Sequence, residues 1–94
     1  MKSYFLDELT NEDAARLALS AELPNWVEPW LLKDERKDVI AYFDVIRSPE
    51  GKVSIQADLS GRHHDEADAV IRVLTNLRDR LGGLVTDDND NTVG

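Results

Sequence analysis

The sequence predicts a small α+β domain, and three patterns predict it. Apolar side chains recur at helical spacing over 64–81, and apolar and polar residues alternate strictly over 52–60. A β-branched, aromatic run at 39–47 is joined to that alternation by a turn containing proline and glycine. The arrangement that satisfies all three is an antiparallel β-hairpin packed by a long C-terminal helix and by N-terminal helices, in the order α-α-β-β-α. A two-stranded hairpin is marginal alone. A third strand is therefore expected from 3–6, from 83–86, or from another chain pairing with an open edge.

Taken in chain order, the first helix is expected after Thr10-Asn11-Glu12-Asp13. Thr10 reads as its N-cap, with Asp13 at the third helical position as a variant of the capping box. Ala14, Leu17, Ala18 and Ala21 would line its inner face, and Pro24 would end it. Pro29 suits the first turn of a second helix, because its missing N–H costs nothing there. That helix would run through Trp30-Leu31-Leu32 to about Asp38.

The hairpin follows. Val53, Ile55, Ala57 and Leu59 fall on one face of 52–60, and Ser54, Gln56 and Asp58 fall on the other, as in a strand with one wet side. The run at 39–47 is apolar on both faces except at Asp44, which suits an inner strand. Between them, Ser48-Pro49-Glu50-Gly51 has proline and glycine at the second and last turn positions.

The long helix carries Ala67, Val70, Ile71, Leu74, Leu77 and Leu81 on one face. Asp65, Glu66 and Asp68 sit near its positive end, Arg78 and Arg80 near its negative end, and Gly82-Gly83 supplies the stop. Residues 1–85 thus read as one compact domain. The remainder, 86–94, reads as an acidic flexible tail with too little apolar content to order itself.

The 94 residues include 19 acids against 11 bases, a formal charge of −8, and no cysteine. Disulfides, thiolate metal sites and thiol catalysis are therefore excluded. The negative field opposes phosphate backbones and anionic membranes, since both are bound by lysine and arginine. No Gly-rich phosphate loop or basic aromatic stripe argues otherwise. No apolar run reaches the roughly 20 residues needed to span a bilayer. The acid-interrupted N-terminus does not resemble a signal peptide, so the expected location is cytoplasmic.

Four features invite a functional reading. His63-His64, followed by Asp65, Glu66 and Asp68, raises a metal or acid/base site. Adjacent histidines diverge, however, and no third histidine exists to complete a set. The plainer reading is a polar helix start, with no metal, cofactor or catalytic residue. Asp87-Asp88-Asn89-Asp90-Asn91 echoes the opening of a calcium loop, but Thr92 stands where glycine is required and no glutamate follows at the twelfth position. Trp26 and Trp30 suit either a core or a partner contact. Finally, Glu12 and Asp13 with Asp65, Glu66 and Asp68 would make one acidic surface if the two helix N-termini lay close together.

The expectation drawn from these is a non-catalytic, acidic protein-binding module, an inhibitor or adaptor that occupies a basic, possibly nucleic-acid-binding, surface of another protein. In size and charge it compares with the small phage-borne inhibitors of CRISPR and restriction systems. The alternative is a homodimer or assembly subunit that associates through an open hairpin edge and the tryptophan patch. A metal-dependent or hydrolytic role at His63/His64 stands third.

Overall fold

The computed structural model describes residues 2–23, 30–33, 35–61, 65–89 and 91–93. Five strands and two helices alternate as β1 (Lys2–Leu9), α1 (Glu12–Glu22), β2 (Trp30–Lys33), β3 (Val39–Arg47), β4 (Val53–Leu59), α2 (Ala67–Leu81) and β5 (Leu84–Asp87). The strands form a single sheet in the order β2-β3-β4-β1-β5, and every neighbouring pair is antiparallel. The α+β class and the hairpin under a long helix are as expected. The strand count and the element order are not, because the sheet has five strands and begins with one.

The alternation over 53–59 sets the sheet's two faces. Val53, Ile55, Ala57 and Leu59 are buried, and the residues between them are half-buried. In register with them, β3 contributes Ala41 and Phe43, β1 contributes Tyr4 and Leu6, and β5 contributes Val85 to the same inner face. Val70, Leu74 and Leu77 of α2 and Ala15, Ala18 and Leu19 of α1 complete this core. Both helices therefore cover one face of the sheet.

The long helix begins at Ala67, after Asp65 and Glu66, and ends as expected where the Gly82 N–H meets the Arg78 carbonyl at 2.7 Å. The hairpin turn closes with the Gly51 N–H on the Ser48 carbonyl. The other elements differ from expectation. The N-cap of α1 is Asn11 rather than Thr10, its Oδ1 accepting the Ala14 N–H at 3.0 Å. The inner face is also turned about the helix axis, so that Ala15, Ala18 and Leu19 are buried while Leu17 is 73% exposed. An alanine-rich helix has small apolar contrast between its faces, and its packing decides which one turns inward. The helix expected from Pro29 to about Asp38 is instead β2 followed by a turn. Lys37 sits at φ 66, a left-handed conformation that no helix interior adopts. The chain then reverses, and Trp30–Lys33 pairs with β3.

β1 holds the sheet together between β4 and β5. Leu6 pairs with Ile55, but Leu9 pairs with Val53, so one extra residue bulges out of β1. Glu8, at φ 66, carries that bulge and returns Leu9 to the core. β4 and β5 run parallel to each other on either side of β1, joined by α2 in a split β-α-β unit. At the entry to β5, Gly83 has φ +98, and a Cβ there would lie 2.4 Å from the Asp7 carbonyl oxygen.

The boundary expected after residue 85 falls inside β5. Thr86 and Asp87 are strand residues, and 91–93 folds back along that edge, with a Thr86–Thr92 bridge and the Val93 N–H on the Val85 carbonyl. Asp87 stabilises the reversal, its Oδ1 accepting the N–H groups of Asn89 (2.9 Å) and Asn91 (3.0 Å). The hydrogen bond from Asn91, then that from Asn89, holds the Asp87 carboxyl below its ordinary value of 3.8, with the charge of Lys2 adding to the effect.

Two outcomes are expected. Gly83→Ala should destabilise the domain by about 2–3 kcal/mol in urea unfolding, through overpacking added to positive-φ strain. Gly82→Ala, at φ +79 with open space around its Cβ position, should cost only about 1 kcal/mol. Because the folded pKa of Asp87 is depressed, its contribution is complete above the ordinary aspartate value and is lost as pH falls through the lowered one. An NMR titration should give an Asp87 midpoint below 3.8, with the Asn89 and Asn91 amides moving in step; a midpoint at or above the ordinary value would contradict the assignment.

Candidate functional site

The acids singled out from the sequence do not assemble into one patch. α1 starts where β1 ends, and α2 ends where β5 begins beside Asp7. Thr10, Asn11 and Ala14 accordingly share a small cleft with Leu81, the last residue of α2. Glu12 and Asp13 therefore lie at the C-terminal end of α2. Asp65, Glu66 and Asp68 lie at its N-terminal end, about 22 Å away for a helix of 15 residues. Each group matches its own helix dipole. Glu12 also pairs with Arg16 at 3.2 Å, and a cleft beside it brings Arg47 near Glu12 and Asp13. The surface at this end is mixed in sign.

Trp30 is part of the core rather than of an interface. It is 3% exposed, donates its indole N–H to Ser20 Oγ at 3.2 Å, and has the Arg16 guanidinium 5.9 Å from its ring. Trp26, His63 and His64 lie outside the described residues. Among the described residues no three histidine, aspartate or glutamate groups converge on a metal-sized site. No described helix is long and apolar enough to cross a membrane. The hairpin edges proposed for self-association are occupied, β3 by β2 and β4 by β1.

What the topology does assemble is the sheet face opposite the helices. Three rows cross it in register. In the first, Leu31, Tyr42, Asp58 and Ser3 stand side by side on successive strands; in the second, Asp44, Gln56, Phe5 and Thr86. The third holds Ile46, Ser54 and, past the bulge, Asp7 with Leu84. Tyr42 and Ile46 are each 39% exposed and Leu84 is 43% exposed.

Five polar side chains of this face are tied to one another. Asp58 Oδ1 accepts Ser3 Oγ at 2.6 Å and Gln56 Nε2 at 2.9 Å, and Asp7 Oδ2 accepts the buried Thr86 hydroxyl at 2.9 Å. The face has three carboxylates, Asp7, Asp44 and Asp58, and bases stand at its borders: exposed Lys33, two residues beyond Leu31 on β2, and Lys52, in a cleft it shares with Asp7 and Ser54. Lys2 and Arg47 belong to the other side by register, and the Lys2 ammonium lies 5.9 Å from the Tyr4 ring. Charge of one sign beside exposed aromatic and aliphatic groups favours association with a surface of opposite charge.

Part of this surface is visible in the sequence: the alternation over 52–60 already turns Ser54, Gln56 and Asp58 outward. Its extent is not visible there, because Ser3, Phe5, Asp7, Leu84 and Thr86 join it only through the placing of β1 and β5. No protein-family model matches the sequence, and comparison with curated proteins and with solved structures finds no match.

If Trp30 is a core residue, Trp30→Ala should cost about 3–5 kcal/mol in chemical denaturation. Trp30→Phe, which loses mainly the bond to Ser20, should cost about 1–2 kcal/mol. Equal stability of all three proteins would return Trp30 to the surface.

Proposed function

We propose that the protein is a non-catalytic binding module, an inhibitor or adaptor, whose open sheet face docks on a cationic surface of a partner protein. The observation that carries this reading is the composition of that face: Asp7, Asp44 and Asp58 stand among exposed Tyr42, Ile46 and Leu84, with bases only at its borders, at Lys33 and Lys52. The formal charge of −8 supports it at longer range. Such a field accelerates encounter with basic surfaces and opposes encounter with phosphate backbones. The nucleic-acid-binding face of a DNA- or RNA-handling enzyme is the cationic surface this reading favours.

The division of labour between the acids follows from position. Asp44 and Asp58 lie within the docking face, where removing them affects dissociation. Asp65, Glu66 and Asp68, at the far end of α2, act at a distance and so affect the association rate and its salt dependence. Burial of Trp30 and occupation of the hairpin edges weigh against self-association as the main role.

The test begins with affinity purification from the native source and identification of the co-eluting protein by mass spectrometry, followed by binding kinetics on the purified pair. Asp44→Lys/Asp58→Lys should weaken binding by roughly 100-fold, mainly through faster dissociation. Asp65→Lys/Asp68→Lys should slow association severalfold and flatten its salt dependence. If both pairs of reversals leave the affinity unchanged, the electrostatic docking reading is wrong.

A further inference from the structure

The centre of the open face has a more specific chemistry than negative charge. Tyr42 and Asp58 are directly opposed on β3 and β4, which places their Cβ atoms about 5 Å apart. The Tyr42 ring is 39% exposed. Beside it the Asp58 carboxylate is held in place before any partner arrives, with Ser3 and Gln56 both donating to Oδ1. Asp44, opposite Gln56, adds a second negative charge one row away on the same face.

We infer that Tyr42 and Asp58 form a receptor for an arginine side chain of the partner, with Asp44 reinforcing it; this rests on the docking reading above. A guanidinium is planar, weakly hydrated and forked, so one group can lie over an aromatic ring and direct its N–H edge at a carboxylate. A lysine ammonium is a compact, strongly hydrated charge. It gains from the carboxylates but little from the ring. An anchored carboxylate loses less freedom on binding than a mobile one, which favours the contact further.

The experiment uses the full chain, labelled with nitrogen-15, and two end-blocked probes, hexa-arginine and hexa-lysine, titrated at low and at 150 mM salt. Hexa-arginine is expected to shift the amides of Tyr42, Gln56 and Asp58 and to bind roughly three- to fivefold more tightly than hexa-lysine, the margin that ring stacking adds at an exposed site. Tyr42→Leu should abolish that margin while leaving hexa-lysine binding unchanged, and Tyr42→Phe should retain it. Asp58→Asn, which keeps an acceptor for Ser3 and Gln56, should weaken hexa-arginine about tenfold. The amide spectrum of each variant reports whether it is folded.

Equal affinity for the two peptides with shifts on this face overturns the arginine receptor and leaves the cationic docking surface standing. Shifts confined to the Asp65–Asp68 end, or the absence of binding, overturn the receptor too. In those cases the native partner's response to Asp44→Lys/Asp58→Lys separately decides the docking reading.

Discussion

The structure depends on one long-range pairing, that of β1 with strands remote from it in the chain. Lys2–Leu9 sits between Val53–Leu59 on one side and Leu84–Asp87 on the other. Without β1 the β3–β4 hairpin would lose one neighbour, β5 would have no strand to pair with, and Leu6, 0% exposed, would leave the core. The bulge at Glu8 and the close approach of Gly83 to the Asp7 carbonyl are the local costs of that fit. The core of Phe43, Ile55, Leu74 and Leu77 offsets them, since each fully buried large apolar side chain contributes about 1.5–3 kcal/mol.

The same pairing produces the surface. Three strands from separate parts of the chain bring Ser3, Gln56 and Asp58 into hydrogen-bonding contact, and Asp7 onto Thr86. Gln56 and Asp58 are neighbours along one face of β4, whereas Ser3 reaches Asp58, and Asp7 reaches Thr86, only through strand pairing. Covering one face with both helices leaves the other open, with Asp7, Asp44 and Asp58 across it. Fold and proposed role thus share a cause in the one-sided packing of an antiparallel sheet.

Local periodicity explains which parts of this were legible beforehand. Helix α2 has a strong amphipathic repeat, dipole-matched charges and a Gly-Gly stop, and it forms close to where those signals place it. The β3–β4 hairpin likewise combines alternation with turn chemistry. Structure departs from local pattern where the deciding contact is distant. Trp30–Lys33 is short, follows a proline suited to a helix start, and becomes a strand because β3 offers it a partner. The buried face of α1 differs from the expected one because alanine fits either side and Leu17 faces solvent. The clustering of Glu12 and Asp13 with Asp65, Glu66 and Asp68 failed on topology: α2 crosses from one end of the sheet to the other and carries its acids away from α1.

The fold-back of 91–93 along β5 has a consequence for the sheet as a polymerisation template. An open strand edge exposes unpaired N–H and C=O groups that a neighbouring molecule can extend. On the β5 side those groups are engaged by residues of the same chain, and the loop that holds them there is tied by the ionised Asp87. Residues 91–93 thus act as a shield of the β5 edge, and the short Asp87 turn is the clasp that keeps it in place.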